Sequence, residues 1–146
     1  MHLDSREAVA RLCDFFEHLT RERLGELGSL YTEQACFKDP FNEVVGVAAI
    51  RAIFEHMYER LDEPRFVVTQ RLVDGDQAFL VWDFRFRFKG AGPQPEQTIR
   101  GGSHLRLAPD GRVLDHRDYW DAAEELYEKL PVLGALMRWL KRRASQ

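Results

Sequence analysis

The chain has 146 residues, 45% of them hydrophobic and 31% charged, and a formal net charge of −3. That length fits one domain over 1–146, and the balance excludes collagen-like, low-complexity and disordered classes. A net negative chain offers no global field for nucleic acid, and no apolar run approaches the roughly 20 residues of a membrane-spanning helix. The opening Met1-His2-Leu3-Asp4-Ser5-Arg6-Glu7 lacks the basic-then-apolar order of a secretory signal. Cys13 and Cys36 are too few for a disulfide framework and form no CxxC pair. The expectation is a cytoplasmic protein with reduced thiols.

Residues 3–20 carry Val9, Leu12, Phe15, Phe16 and Leu19 at helical spacing, with Asp4 or Ser5 placed to cap the start. A second, weaker helix is expected over 23–31, since Gly25 and Gly28 lower its propensity. Residues 35–38 read as a short strand stopped by Asp39-Pro40, and 43–45 as another ending at Gly46. Helical period returns over 47–61, with Ile50, Ile53, Phe54, Met57 and Tyr58 on the apolar stripe and Glu63-Pro64 as the break. Four strands follow, over 65–73, 77–88, 97–107 and 113–120, separated by Asp74-Gly75-Asp76, Gly90-Ala91-Gly92-Pro93 and Pro109-Asp110-Gly111. Connections this short imply an antiparallel meander. Asp121 with Glu124 looks like a capping box for a final helix, which Pro131 restarts or kinks.

Alternation assigns the faces. Leu80, Trp82, Phe84, Phe86 and Phe88 fall inward, with Asp83, Arg85 and Arg87 opposite. Ile99, Gly101, Ser103, Leu105 and Leu107 fall inward on the next strand, and Leu114, His116, Asp118 and Trp120 on the last. A sheet with one apolar face needs covering, and the amphipathic helices supply it. Helices first and strands afterwards give an α+β domain.

The informative residues are polar groups on that apolar face. A buried carboxylate is costly unless it is paired or protonated, which makes Asp118 a candidate base. His116, two residues away on the same face, is its candidate orienter or proton partner. Asp39, at a strand end, is a candidate second acid–base group, and equally a plain turn former. Ser103 reads as a satisfied core hydroxyl. Phe15, Leu19, Tyr31, Phe54, Tyr58, Trp82, Phe84, Ser103 and Trp120 are expected to line a pocket for an apolar small molecule.

Other patterns are uninformative. The five histidines show no metal-ligand spacing, so neither a metal site nor a cofactor is expected. Gly90-Ala91-Gly92 and Gly101-Gly102 fit turn and bulge roles rather than phosphate loops. Leu133, Leu136, Met137 and Leu140, flanked by Arg138, Lys141, Arg142 and Arg143, make a basic amphipathic stretch. Its expected role is packing on the sheet or a partner subunit rather than binding a membrane surface.

Two stretches, Leu30-Tyr31-Thr32-Glu33-Gln34-Ala35-Cys36-Phe37-Lys38-Asp39-Pro40 and Gly111-Arg112-Val113-Leu114-Asp115-His116-Arg117-Asp118-Tyr119-Trp120-Asp121, carry a resemblance that spans the chain. The pattern resembles the nuclear transport factor 2-like superfamily, which includes ketosteroid isomerases, limonene epoxide hydrolases, scytalone dehydratases and SnoaL-like polyketide cyclases. The resemblance implies a cone: a strongly curved, mostly antiparallel sheet wrapped around N-terminal helices, with a C-terminal helix and an apolar pocket. It also implies a homodimer paired through the outer sheet face, here rich in arginine. Asp39 falls where ketosteroid isomerases keep a proton-shuttling carboxylate, while Phe15 and Ser103 replace their oxyanion groups. Asp118 matches a catalytic aspartate of limonene epoxide hydrolases, whose partner positions are Trp82 and Phe84 here. Two readings stay open: an acid–base isomerase, cyclase, dehydratase or hydrolase, and a non-catalytic binding or dimerisation module.

Overall fold

The structure is a computed structural model that describes residues 4–125 and 131–145. The first helix, α1 (Ser5–Glu17), starts where the Asp4 carboxylate accepts a hydrogen bond from the Arg6 N–H at 2.9 Å. Its Ala8, Val9, Leu12, Cys13, Phe15 and Phe16 are buried, which is the face the spacing marked. Leu3, the expected first helical position, lies outside the described residues.

The helix expected over 23–31 is instead a 3-10 turn (Glu22–Glu26) and a single α-turn, α2 (Leu27–Leu30). Leu24, Leu27 and Leu30 are buried at intervals of three, which suits the tighter 3-10 winding. Tyr31 is already extended, at φ −117 and ψ 144, so the first strand, β1 (Tyr31–Lys38), begins four residues earlier than expected. β2 (Glu43–Val45) and α3 (Val47–Arg60) follow.

The expected break at Glu63-Pro64 is not a break. β3 (Leu61–Asp74) leaves α3 directly, and its register with β4 (Gln77–Phe88) jumps from Asp62↔Arg87 to Arg65↔Arg85. Glu63, at φ 52, and Pro64 form a bulge opposite Phe86, which relieves the ladder of the N–H that proline lacks. β5 (Glu96–Leu107) and β6 (Val113–Tyr119) complete the meander within one residue of the expected bounds. The six-stranded sheet runs β2-β1-β6-β5-β4-β3, with β1 parallel to β6 and the other pairs antiparallel. It is curved, unclosed and filled on its inner face by the helices, as a cone.

Alternation places the inner residues correctly, with two local corrections. Gly101 and Gly102 sit in an unbroken ladder opposite Trp82 and Val81, so they are not a bulge. A Cβ at Gly101 would stand 2.5 Å from Trp82 Cη2, and one at Gly102 2.6 Å from Phe79 Cε1. The glycines are there because an aromatic ring from β4 lies over each face. At the start of β6 a bulge lets Val113, 1% exposed, replace Leu114 on the inner face.

Asp83 stays on the outer face beside Arg85, at 3.8 Å. On that face Arg100 bonds Glu125 at 2.8 Å and Glu124 at 3.3 Å, holding α4 (Ala122–Glu125) against β5. Asp121 caps α4 through the Glu124 N–H. In α5 (Pro131–Ala144), Leu136, Trp139 and Leu140 are 49%, 48% and 45% exposed. The expected packing of this stripe onto the sheet is therefore not realised at Leu136 and Leu140, while the side chains of Leu133 and Met137 lie outside those described. Among the described residues, no helix is long and apolar enough to cross a membrane.

Candidate functional site

His116 and Asp118 stand two apart on β6, so both project from one face of the sheet toward the helices. His116 is 6% exposed and the Asp118 side chain 17%. Ladder register sets Ser103 of β5 directly opposite Asp118, and Leu80 of β4 opposite Ser103. The result is a connected chain of polar groups. The Trp82 Nε1–H donates to Ser103 Oγ at 2.9 Å, and the Ser103 hydroxyl donates to Asp118 Oδ1 at 2.5 Å. His116 Nε2 lies 2.6 Å from the same Oδ1, and His116 Nδ1 lies 2.6 Å from the Tyr31 hydroxyl. Tyr31 is 0% exposed, and its phenol is pushed well above the ordinary range, first by burial and then by the charge of Asp118. Phe37, with ring centroids 4.7 Å apart, and Phe16, at 6.2 Å, wall in the imidazole.

Both groups that bond Asp118 use Oδ1. Among the described residues no hydrogen bond reaches Oδ2. Asp118 borders three spaces: an aromatic cleft of about 310 Å³, a small inner chamber of about 40 Å³, and an open surface depression of about 740 Å³. Phe66, Phe84 and Phe86 make a stacked row along the cleft, with centroids 4.6 and 5.1 Å apart. Ile53, Phe54 and Met57 of α3 face them, with Trp82 and Trp120 alongside. Cys13 lines the inner chamber, and burial raises its thiol.

Asp39 borders both the cleft and the depression, so the structure brings the two candidate carboxylates to one space. Asp39 is also a turn former. Its Oδ1 accepts from the N–H groups of Phe41 at 2.8 Å and Asn42 at 2.7 Å, and the Asn42 amide adds bonds at 3.1 and 3.2 Å.

Of the expected pocket residues, Phe54, Trp82, Phe84 and Trp120 line the cleft, and Ser103 lines the inner chamber. Phe15, Leu19, Tyr31 and Tyr58 line neither. Adjacent helical residues are turned about 100° apart, so Phe16 takes the position expected of Phe15, which packs edge-on behind it. Tyr58 is displaced likewise by Met57; its hydroxyl is buried without a partner among the described residues and is raised mainly by burial. Tyr31 lies behind His116 rather than on a wall. Phe66, Phe86, Phe88, Ile53 and Met57 were missed as lining residues. Four of them continue stripes that the periodicity already marked; Phe66 was hidden because bulges make the phase of β3 unreadable.

Among the described residues no group of three His, Cys, Asp or Glu is arranged to hold a metal ion, and Cys13 and Cys36 are free thiols. What the arrangement can do is move protons: Asp118 is held by one oxygen at the meeting point of an aromatic cleft and the surface, and no hydrogen bond among the described residues occupies the other.

Cone, helices and cleft together define a nuclear transport factor 2-like fold of the ketosteroid isomerase kind. Within it, the chain belongs to the SnoaL-like domain family, whose model matches residues 12–116. No curated protein matches the chain. A ketosteroid isomerase-like protein from Catenulispora acidiphila, in complex with trimethylamine, superposes with a TM-score of 0.70 at 16% identity, covering 82% of this chain and 89% of that one. A Shewanella putrefaciens protein named for the SnoaL-like polyketide cyclases gives 0.69 at 16% identity, with coverages of 86% and 98%. TerC, co-crystallised with polyporic acid, gives 0.66 at 16% identity, with coverages of 82% and 93%. Likeness at such identities is likeness of fold.

Proposed function

We propose that this protein is an acid–base enzyme acting on an apolar small molecule, an isomerase, cyclase, dehydratase or hydrolase, with Asp118 as the group that takes and returns the proton. One observation carries the reading: Asp118 commits Oδ1 to Ser103 and His116, no hydrogen bond among the described residues reaches its Oδ2, and the residue lines an aromatic cleft. His116 orients the carboxylate, and Asp39 at the rim is the second acid–base group. The aromatic lining suits an apolar, ring-containing substrate, and TerC, a relative in fold, was crystallised with polyporic acid. Free thiols support a cytoplasmic setting, and the net charge of −3 argues against nucleic acid as a partner. The same reading includes a homodimer with a polar interface on the outer sheet face, where Arg106 and Asp115 pair at 2.8 Å. Sedimentation should find a dimer at micromolar concentration that weakens with added salt; a monomer there removes this element.

The chemical test is proton exchange at carbon. A panel of apolar enolisable ketones and diketones is incubated with the protein in deuterium oxide, and deuterium incorporation is followed. The native protein should label one class, and Asp118→Asn should lose labelling while keeping its fold and its affinity, because the amide keeps the shape and loses the basic oxygen. A second reading, a binding module of the same fold, draws support from Trp82 and Phe84, apolar residues where limonene epoxide hydrolases place catalytic partners. On that reading Asp118→Asn leaves binding intact and instead lowers stability by about 1–3 kcal/mol.

A further inference from the structure

We propose that Tyr31 is a positioning residue: its buried hydroxyl donates to His116 Nδ1 and so holds the imidazole in its neutral Nε2–H form, which presents Asp118 with a hydrogen bond instead of a positive charge. The proposal rests on the reading of Asp118 as the proton-transfer group, but it concerns a different bond and is tested separately.

The argument is an accounting of protons. The Tyr31 hydroxyl is fully buried, and among the described residues its one hydrogen-bond partner is His116 Nδ1, at 2.6 Å. A buried hydroxyl has to place its hydrogen on an acceptor. If Nδ1 carried a proton, that N–H would take the phenol oxygen, and the phenol hydrogen would be left with no acceptor among the described residues. The hydroxyl therefore donates, Nδ1 accepts, and the ring proton sits on Nε2, aimed at Asp118 Oδ1. Ser103 obeys the same logic from the other side. Its oxygen receives the Trp82 N–H, which leaves its own hydrogen for Oδ1. The two donor chains, from Tyr31 through His116 and from Trp82 through Ser103, thus end on one carboxylate oxygen.

On its inner side the ring meets no further charge, whereas the surface depression that His116 also borders carries Lys38, Glu43, His104, Arg106, Asp115 and Arg117. The elements packed against the imidazole offer Tyr31 and Phe37 from β1, Cys13 and Phe16 from α1, Phe54 from α3 and Ser103 from β5. Of the titratable groups in the inner chamber and behind it, the Cys13 thiol and the Tyr31 phenol are both held protonated by burial, which leaves Asp118 as the charge on that side of the ring. Tyr31 occupies the Nδ1 lone pair, so the ring meets Asp118 through its Nε2–H alone.

The test is nitrogen NMR of the histidine rings in the full, ligand-free chain labelled with nitrogen-15, with His116→Gln identifying the signal. The native protein should show an unprotonated Nδ1 and a protonated Nε2 for His116 at neutral pH. Tyr31→Phe, which removes the hydrogen donated to Nδ1, should show that nitrogen carrying a proton at the same pH, as the Nδ1–H tautomer or the imidazolium. An imidazolium or an Nδ1–H tautomer in the native protein overturns the proposal, and this measurement stands even if Tyr31→Phe does not fold. A Tyr31→Phe spectrum unchanged from native overturns it too. If the native tautomer is as stated and Asp118→Asn still exchanges deuterium, the Asp118 reading fails while the Tyr31–His116 assignment survives.

Discussion

Gly101 and Gly102 interrupt the middle of β5, and each is covered by a ring from β4 on a different face of the sheet. The Trp82 ring over Gly101 is not free to retreat, since its indole N–H is tied to Ser103 and Phe66 packs edge-on against it at 6.0 Å. Gly101→Ala should therefore cost about 1–3 kcal/mol, the usual penalty for overpacking, and should also disturb the Ser103–Asp118 bond. Gly28 is the internal contrast: nothing lies within 4 Å of its added Cβ and its backbone is helical. Gly28→Ala should gain about 0.4–1 kcal/mol by restricting the unfolded chain. Urea unfolding of the two variants checks both signs at once. At this scale the dyad of His116 and Asp118 was readable from sequence, because two polar residues at period two on an apolar face have little other reason to be there. Tyr31 was not readable as their partner, since its bond to His116 joins residues 85 apart through a strand pairing that no local pattern encodes.

Asp39 shows what one acidic residue does for an element. The segment between β1 and β2 turns because one carboxylate oxygen accepts two successive backbone N–H groups. Asp39→Ala should lose about 1–2 kcal/mol of stability through those unpaired donors, while Asp39→Asn, which keeps Oδ1 as an acceptor, should lose less than half of that. Thermal melts decide the point; equal losses would mean that the charge, not the acceptor, holds the turn. If Asp39 also serves as the second acid–base group, Asp39→Asn should lose activity out of proportion to stability. The elements that were readable are those with an uninterrupted period, α1 and the long strands β4 and β5. Those that were not readable have two competing signals. Leucines three apart beside two glycines look like a weak helix and form a 3-10 turn; Glu63-Pro64 looks like a boundary and forms a bulge inside β3.

At the scale of the whole molecule, burial holds three of the described weak acids in their neutral form: Cys13, Tyr31 and Tyr58 are all raised, each mainly by loss of water. In the unfolded chain they ionise at their ordinary values, 9.0 for the thiol and 10.0 for the phenols. Above those values the unfolded state has lost protons that the folded state still keeps, so stability falls as pH rises. The contribution is complete below the ordinary thiol value and is lost progressively toward the folded values. Urea midpoints should thus be flat through neutrality and decline on the alkaline side, and Cys13→Ala should flatten the first part of that decline. A midpoint that rises with alkaline pH would contradict the burial of these groups.

The parallel pairing of β1 with β6 also governs the order in which the molecule assembles. The turns of the meander bring β3, β4, β5 and β6 together from neighbouring sequence, whereas joining β1 to β6 closes most of the chain into a loop. Closing that loop is the entropically slower event, so the meander nucleates and β1 docks afterwards. In stopped-flow measurements Leu80→Ala, in the centre of the meander, should slow folding, whereas Tyr31→Phe should leave the folding rate near native and accelerate unfolding. A molecule arrested before that docking has its aromatic strands but no tyrosine at His116, so on refolding the burial of tryptophan should precede the native ring signals of His116.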